Sequence, residues 1–205
     1  MRTVSCKLHP NPDVVVRTFT FILCTALLAV GCGGEARRSD ETPSQLLLDF
    51  YVPGARLSDS LGAVRQRVPG VSFAPYSGYR ASLAQKPDGF ENVMLVAGES
   101  IEPEQELPSG TPVNEVTLFG PARIANSARR RVQEAFGDVQ PAMGCRIMPS
   151  LGELTVIQWE AAGTGALLIV GKSLVTPDSA NATLTLYRGR LDSQRVPNSK
   201  PGPCS

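Results

Sequence analysis

Histidine is almost missing from this chain of 205 residues: His9 is the one copy. Without a second imidazole away from the N-terminus, Ser-His-Asp and Cys-His catalytic sets, His-ligated zinc and the usual neutral-pH general base are excluded from residues 32–205. Charge of one sign is also missing. Lys and Arg (20) nearly cancel Asp and Glu (19). No basic excess therefore exists to attract nucleic acid or anionic lipid over a distance. Long apolar runs are absent as well. The longest uncharged apolar stretch, residues 19–30, falls short of the ~20 residues that a helix needs to span a bilayer.

That stretch is nevertheless the most informative part of the chain. Residues 19–32 read FTFILCTALLAVGC, with Arg17, Lys7 and Arg2 upstream. A positive N-terminal side, a short apolar core and small residues before a cysteine fit a secretory signal. Ala29-Val30-Gly31-Cys32 resembles the lipobox of bacterial lipoproteins, departing from it in Ala29 where Leu, Val or Ile is commoner. The resemblance implies a diacylglycerol thioether on Cys32, cleavage before it and acylation of the new amino group. An ordinary cleaved signal and an uncleaved anchor are the alternatives. Several acyl chains, at ~0.8 kcal/mol per buried CH₂, hold a folded domain on a membrane durably. Gly33, where an aspartate would retain the protein at the inner membrane, resembles the outer-membrane sorting pattern of enteric bacteria.

Removing residues 1–31 takes Arg2, Lys7, Arg17, Asp13 and His9 away, which moves the net charge from +1 to −1. Cys6 and Cys24 also leave, so Cys145 and Cys204 remain beside Cys32. In a compartment that permits oxidation this even pair forms a disulfide that closes a long loop, typically stabilising by ~2–4 kcal/mol. Two free thiols are the alternative.

Residues 32–44 are small, charged and polar, which suits a tether. Residues 45–52, QLLLDFYV, form a short helix or a first strand, the helix being preferred, and Pro53-Gly54 ends it. The remainder repeats itself. Residues 55–60 (ARLSDS) return at 122–127 (ARIANS); Gln66 meets Gln133 and Gly70 meets Gly137. Pro75, Gly78 and Arg80 meet Pro141, Gly144 and Arg146; VMLVAG at 93–98 meets LLIVG at 167–171; VTLF at 116–119 meets LTLY at 184–187. The same order in both halves reads as an internal duplication.

In the first unit Ser58 or Asp59 caps a helix with Leu61, Val64 and Val68 on one face, and Pro69-Gly70 stops it. In the second, Asn126 caps a helix with Ala128, Val132, Ala135 and Phe136 inward, and Gly137 stops it. Strands are expected at about 71–73, 79–83, 92–97 and 113–119, then at about 145–148, 154–160, 166–171 and 182–188, with Gly163-Thr164-Gly165 as a hairpin connection. The expected fold class is α+β: an antiparallel sheet with helices packed on one face, in two tandem α-β-β-β-β repeats at 45–119 and 120–190, and a Pro/Gly-rich tail at 191–205. Through residues 53–59 (PGARLSD) and 120–124 (GPARI), this pattern resembles SmpA/OmlA-type envelope assembly lipoproteins and the tandem-repeat fold of β-lactamase inhibitor proteins. The resemblance implies a short antiparallel sheet backed by helices, and fold alone does not fix function.

Residues 166–173, ALLIVGKS, match the loosest form of a phosphate-binding loop, but Leu167, Leu168, Ile169 and Val170 form a strand where that loop needs a glycine-rich turn. No nucleotide is expected. Glu99, Glu102, Glu104 and Glu106 share a proline-containing loop without the turn of a calcium motif, and read as a solvated acidic connection. Arg129, Arg130 and Arg131 fan over about 200° of helix and read as a solvated face, with lipid headgroups or an acidic partner as the sharper alternative. Trp159, with Ile157 and Thr155 on its face of a strand, reads as core; Tyr76 and Tyr79 read as an aromatic loop. No cofactor, metal, nucleic acid or catalytic set is expected.

The functional expectation is a lipid-anchored cell-envelope protein of the outer membrane, non-catalytic, that binds or helps assemble another envelope protein. A ligand- or lipid-binding module with a pocket between sheet and helices is the second reading. A hydrolase is the third, requiring two converging carboxylates from Asp59, Asp88, Glu91, Glu153 and Glu160.

Overall fold

In the computed structural model the described residues are 41–148, 152–172, 181–189, 191 and 200–201. Three α-helices lie among them: α1 (Pro43–Tyr51), α2 (Leu61–Arg67) and α3 (Ala125–Phe136). Helix α1 starts where Thr42 Oγ1 accepts the amide of Gln45 at 3.3 Å and Pro43 occupies the first turn, where proline loses no needed N–H. Leu47, Leu48 and Tyr51 recur at helical spacing and turn inward. Helix α2 is capped by Ser60, one residue beyond the expected Ser58 or Asp59, its hydroxyl accepting the amide of Ala63. Asp59 instead pairs with Arg67, and Ser58 takes a positive φ of 72°. The first two amides of α2 donate to Thr111 and Ser109 carbonyls, so the loop at 108–112 satisfies donors that a helix start leaves open.

Helix α3 also begins differently from expectation. A 3-10 turn, Ala122–Ile124, runs straight into it, no side chain caps it, and Asn126 lies inside the first turn. Ser127 Oγ donates to the Ile124 carbonyl at 2.8 Å. Ala128, Val132 and Phe136 form its buried stripe, and Gly137 ends it at φ 59°, a conformation glycine adopts without a Cβ penalty.

The strands are β1 (Ser72–Ala74), β2 (Gly78–Ser82), β3 (Asn92–Ala97), β4 (Val113–Pro121), β5 (Ala142–Met148), β6 (Gly152–Ala161), β7 (Thr164–Lys172), β8 (Asn181–Arg188) and the two-residue β9 (Lys200–Pro201). They make one sheet in the order β1-β2-β3-β4-β8-β7-β6-β5-β9, with every neighbouring pair antiparallel. The α+β class and the antiparallel sheet thus agree with expectation, while the tail at 191–205 contributes an edge strand, β9. Two up-and-down runs, β1–β4 and β5–β8, meet side by side along β4 and β8.

The two faces of the sheet differ. Val93, Leu95, Val116, Leu118, Leu184, Leu186, Ala166, Leu168, Ile157 and Trp159 pack with residues of all three helices in one core. On the opposite face Val156, Leu167 and Tyr187 form a second, smaller cluster with Ile169 and Leu191. Alternation along each strand makes this division, and each large side chain buried in it contributes ~1.5–3 kcal/mol.

The β6–β7 hairpin turns on Ala162 and Gly163, at φ 52° and 73°, between the paired Ala161 and Thr164. Two positive-φ residues in a two-residue loop match the twist of the flanking strands. Thr164 and Gly165, expected in the connection, lie in β7. Gly165 stands opposite Tyr187, and a Cβ there would come within 2.2 Å of the Tyr187 ring and 2.7 Å of the Trp159 carbonyl. Ser44 donates to the Gly165 carbonyl at 2.9 Å, tying the start of α1 to β7. Gly165→Ala is expected to destabilise the fold by ~1–3 kcal/mol through overpacking, measured as a lower urea midpoint. The loss shrinks in a Tyr187→Ala background, because the ring that the new methyl strikes is gone.

Candidate functional site

The most developed polar cluster joins α1, a tight turn before β3, and α3. The turn is a 3-10 segment, Pro87–Gly89, in which Lys86, Asp88 and Gly89 take φ of 43°, 52° and 91°. Left-handed backbone at two residues with side chains costs ~1–3 kcal/mol each, so surrounding contacts must hold it. They do. A Cβ on Gly89 would lie 2.8 Å from Ile124 Cγ2, and one on Gly120 would lie 2.6 Å from Ile124 Cδ1. The turn is pressed against the entrance to α3.

From this turn the Asp88 carboxylate accepts three hydrogen bonds. Arg131 Nε donates to Oδ2 at 2.6 Å, Arg131 Nη2 to Oδ1 at 3.1 Å, and Tyr51 Oη to Oδ2 at 3.0 Å. A two-pronged guanidinium–carboxylate pair is among the stronger polar contacts in proteins. The Arg131 guanidinium also lies 3.7 Å from the centroid of Phe50, a cation–π arrangement. Tyr51 meets Phe50 and Phe90 edge-on, with centroids 4.9 and 5.3 Å away.

Electrostatics follow from these contacts. The Arg131 hydrogen bonds hold Asp88 below the ordinary carboxylate range, against the opposing effect of its partial burial. Asp88 in turn raises Arg131. Burial, then the charge of Asp88, pushes the Tyr51 hydroxyl far up, so it stays a neutral donor. The carboxylate is met by both the guanidinium and the tyrosine hydroxyl. This cluster is a clamp among three elements.

A second cluster lies on the other face. Tyr187 Oη donates to Glu160 Oε1 at 2.8 Å, and Gln158 Nε2 donates to Tyr187 Oη at 2.9 Å and to Glu160 Oε1 at 2.9 Å. The Tyr187 ring crosses Gly165 to reach β6, and burial raises its hydroxyl well above the ordinary value. A third contact closes the end of α3: Gln133 accepts from Trp159 Nε1 at 2.9 Å and donates to the carbonyls of Gly137 and Val139.

The sequence candidates are scattered by the fold. Asp59 pairs with Arg67, Asp88 with Arg131, Glu91 with Lys86 at 3.7 Å, and Glu160 with Tyr187; Glu153 lies in β6 opposite Ile147. Among the described residues no hydrogen bond or ion pair joins two of these carboxylates to a common partner. In the acidic loop Glu106 pairs with Arg65, and the Leu107 amide donates to Tyr79 Oη at 2.5 Å. Tyr79, read both in the aromatic loop and as the first residue of the strand at 79–83, is a core residue of β2, whereas Tyr76 is 63% exposed. Arg131, read as part of a solvated face, is the clamp's cation; Arg129 and Arg130 are exposed. Residues 166–172 are strand, as the phosphate-loop argument requires. Trp159 is fully buried.

Among the described residues no group of three or more His, Cys, Asp and Glu is placed to hold a metal, and no helix is long and apolar enough to cross a membrane. Cys145 is disulfide-bonded; Cys32 and Cys204 lie outside the described residues. No protein-family model, curated protein or solved structure matches the chain.

Because the folded-state pKa of Asp88 is depressed, the clamp's contribution is present above the unfolded carboxylate pKa of ~3.9 and is lost as pH falls through the folded value. Asp88→Asn, which tolerates the same backbone, is expected to lower stability by ~1–3 kcal/mol at pH 7. Urea titrations from pH 7 to 2 check this: wild type and variant converge at the acid end.

Proposed function

We propose that this chain is a lipid-anchored cell-envelope protein whose folded part is a non-catalytic interaction or assembly module. The observation that carries the reading is the 19–32 stretch ending in Ala-Val-Gly-Cys. Cys32 is the proposed lipid attachment site and the membrane its first partner, with another envelope protein as the second and the outer membrane as the location. The mature chain, free of imidazole, presents polar clusters whose groups are spent on one another. The space between helices and sheet is occupied by one continuous set of buried side chains, which favours an interaction module over a ligand-binding pocket.

The module is further proposed to be a duplicated unit. Support comes from the sheet register. Matching VTLF to LTLY carries Thr117 onto Thr185, and these residues pair directly across β4 and β8, their hydroxyls 3.0 Å apart. A two-fold axis through that pair would exchange the halves. Matching Gly98 to Gly171 carries Val93 onto Ala166 and Leu95 onto Leu168. The pairs Val93↔Leu118 and Leu95↔Val116 then become Ala166↔Leu186 and Leu168↔Leu184, and all four pairs occur. Gly70 and Gly137, also matched, both take positive φ after a helix. The Gly78–Gly144 match is discounted, since those residues lie in the second strand of one half and the first of the other.

Metabolic labelling with palmitate and fractionation test the anchor. Wild type incorporates label and sediments with membranes; Cys32→Ser loses the label and becomes soluble after export. A Cys32→Ser protein still processed and still held in membranes would overturn the reading.

A further inference from the structure

Among the described residues the large hydrophobic side chains left exposed are Leu46, Phe50, Tyr76 and Ile147. Two of them share one face of α1. Leu46 (47% exposed) and Phe50 (43% exposed) stand four residues apart, hence one above the other on a helix. They lie on the side away from Leu47, Leu48 and Tyr51, which enter the core. The polar side chains of α1 do not dilute this outer face. Gln45 Nε2 donates to Asp49 Oδ1 at 3.0 Å and to the Ala55 carbonyl at 3.1 Å, so both are drawn toward the loop that follows the helix. The Phe50 ring is held in place, with the Arg131 guanidinium 3.7 Å from its centroid. Asp88 neutralises that cation, so the ring brings no unpaired charge to the surface. On α3 the exposed charged residues Arg129, Arg130 and Glu134 carry both signs, which leaves apolar contact to do the recognising.

Two side chains are too few for a protein interface, which takes ~800 Å² from each partner. The sequence points to a different occupant. Eleven positions separate Pro43, at the start of α1, from Cys32, and a chain of that length spans at most ~40 Å. We infer that Leu46 and Phe50 form a membrane-contact face, which enters the interfacial layer of the bilayer that holds the lipid on Cys32. This inference rests on the lipidation proposed above. Two apolar side chains do not recruit a protein from solution. An anchor makes the contact intramolecular, and a weak contact is then populated. Its consequence is orientation: the helical layer faces the bilayer and the opposite face of the sheet points away from it.

Phe50→Trp tests this in the full lipidated chain, reconstituted into phosphatidylethanolamine–phosphatidylglycerol vesicles with and without bromine on the acyl chains. Tryptophan keeps an aromatic face for Arg131, and wild type supplies the background from Trp159, which is fully buried. Brominated lipid is expected to quench the Phe50→Trp signal and to leave wild type and Tyr76→Trp unquenched, Tyr76 lying on the turn between β1 and β2. Adding Leu46→Asp is expected to cut the quenching about fivefold, through lost apolar burial and an added charge, with the urea midpoint unchanged. A Phe50→Trp protein that sediments with vesicles and is not quenched overturns the inference and leaves lipidation standing. So does an indole shielded from acrylamide but not reached by bromine, because a second copy of the chain then covers the face. Equal quenching at positions 50 and 76, or quenching indifferent to Leu46→Asp, also overturns it. A chain that carries no lipid and stays in the supernatant overturns lipidation, and this inference with it.

Discussion

The pairing of β4 with β8 is the contact on which the rest of this molecule depends. Each strand run taken alone, β1–β4 or β5–β8, is a four-stranded sheet with one apolar face and an unpaired last strand. Joined along Glu115–Pro121 and Asn181–Tyr187, they bury both unpaired edges and create a face wide enough for three helices. The buried Thr117 and Thr185 hydroxyls satisfy one another at the middle of the seam, where an unpaired hydroxyl would be costly.

The helices then follow from what the wide face requires. Helices α1 and α3 cover it through Leu48, Tyr51, Val132 and Phe136, and the Asp88 clamp fixes their spacing against the turn before β3. The clamp recruits one element from before the first strand run, one from within it and one from after it. It therefore joins segments that β-pairing alone leaves independent. Strain at Asp88 is tolerated because its carboxylate is held by Tyr51 and Arg131.

The sequence made some of this legible and hid the rest, for identifiable reasons. The buried strands were readable because β-branched and aliphatic residues run almost unbroken through 92–97, 154–159 and 166–170, between glycine or proline breaks. Helix stops at Pro69-Gly70 and Gly137 were readable because these residues act locally. Helix starts were not: Ser58, Asp59 and Ser60 are chemically interchangeable as caps, and tertiary pairing of Asp59 with Arg67 decided among them. Arg131 looked like its exposed neighbours because its partner lies 43 positions away. The Pro87-Asp88-Gly89 turn was the available hint, since an aspartate forced into left-handed backbone is aimed by its turn at whatever packs beside it. Of the two readings of Tyr79, strand and aromatic loop, the strand holds, since β2 already begins at Gly78. Cys145 is disulfide-bonded, while the Cys145–Cys204 pairing read from cysteine parity falls on Cys204, outside the described residues; β9 was not legible, because nothing in Lys200-Pro201 favours a strand.

Native-state hydrogen exchange bears most directly on the claim that two strand runs form one cooperative body through their seam. The account predicts that the slowest amides of β4 and β8 exchange at the same rate as those of β3 and β7, all through global unfolding. Seam amides that exchange faster than the strands on either side, with the two runs opening separately, would contradict it.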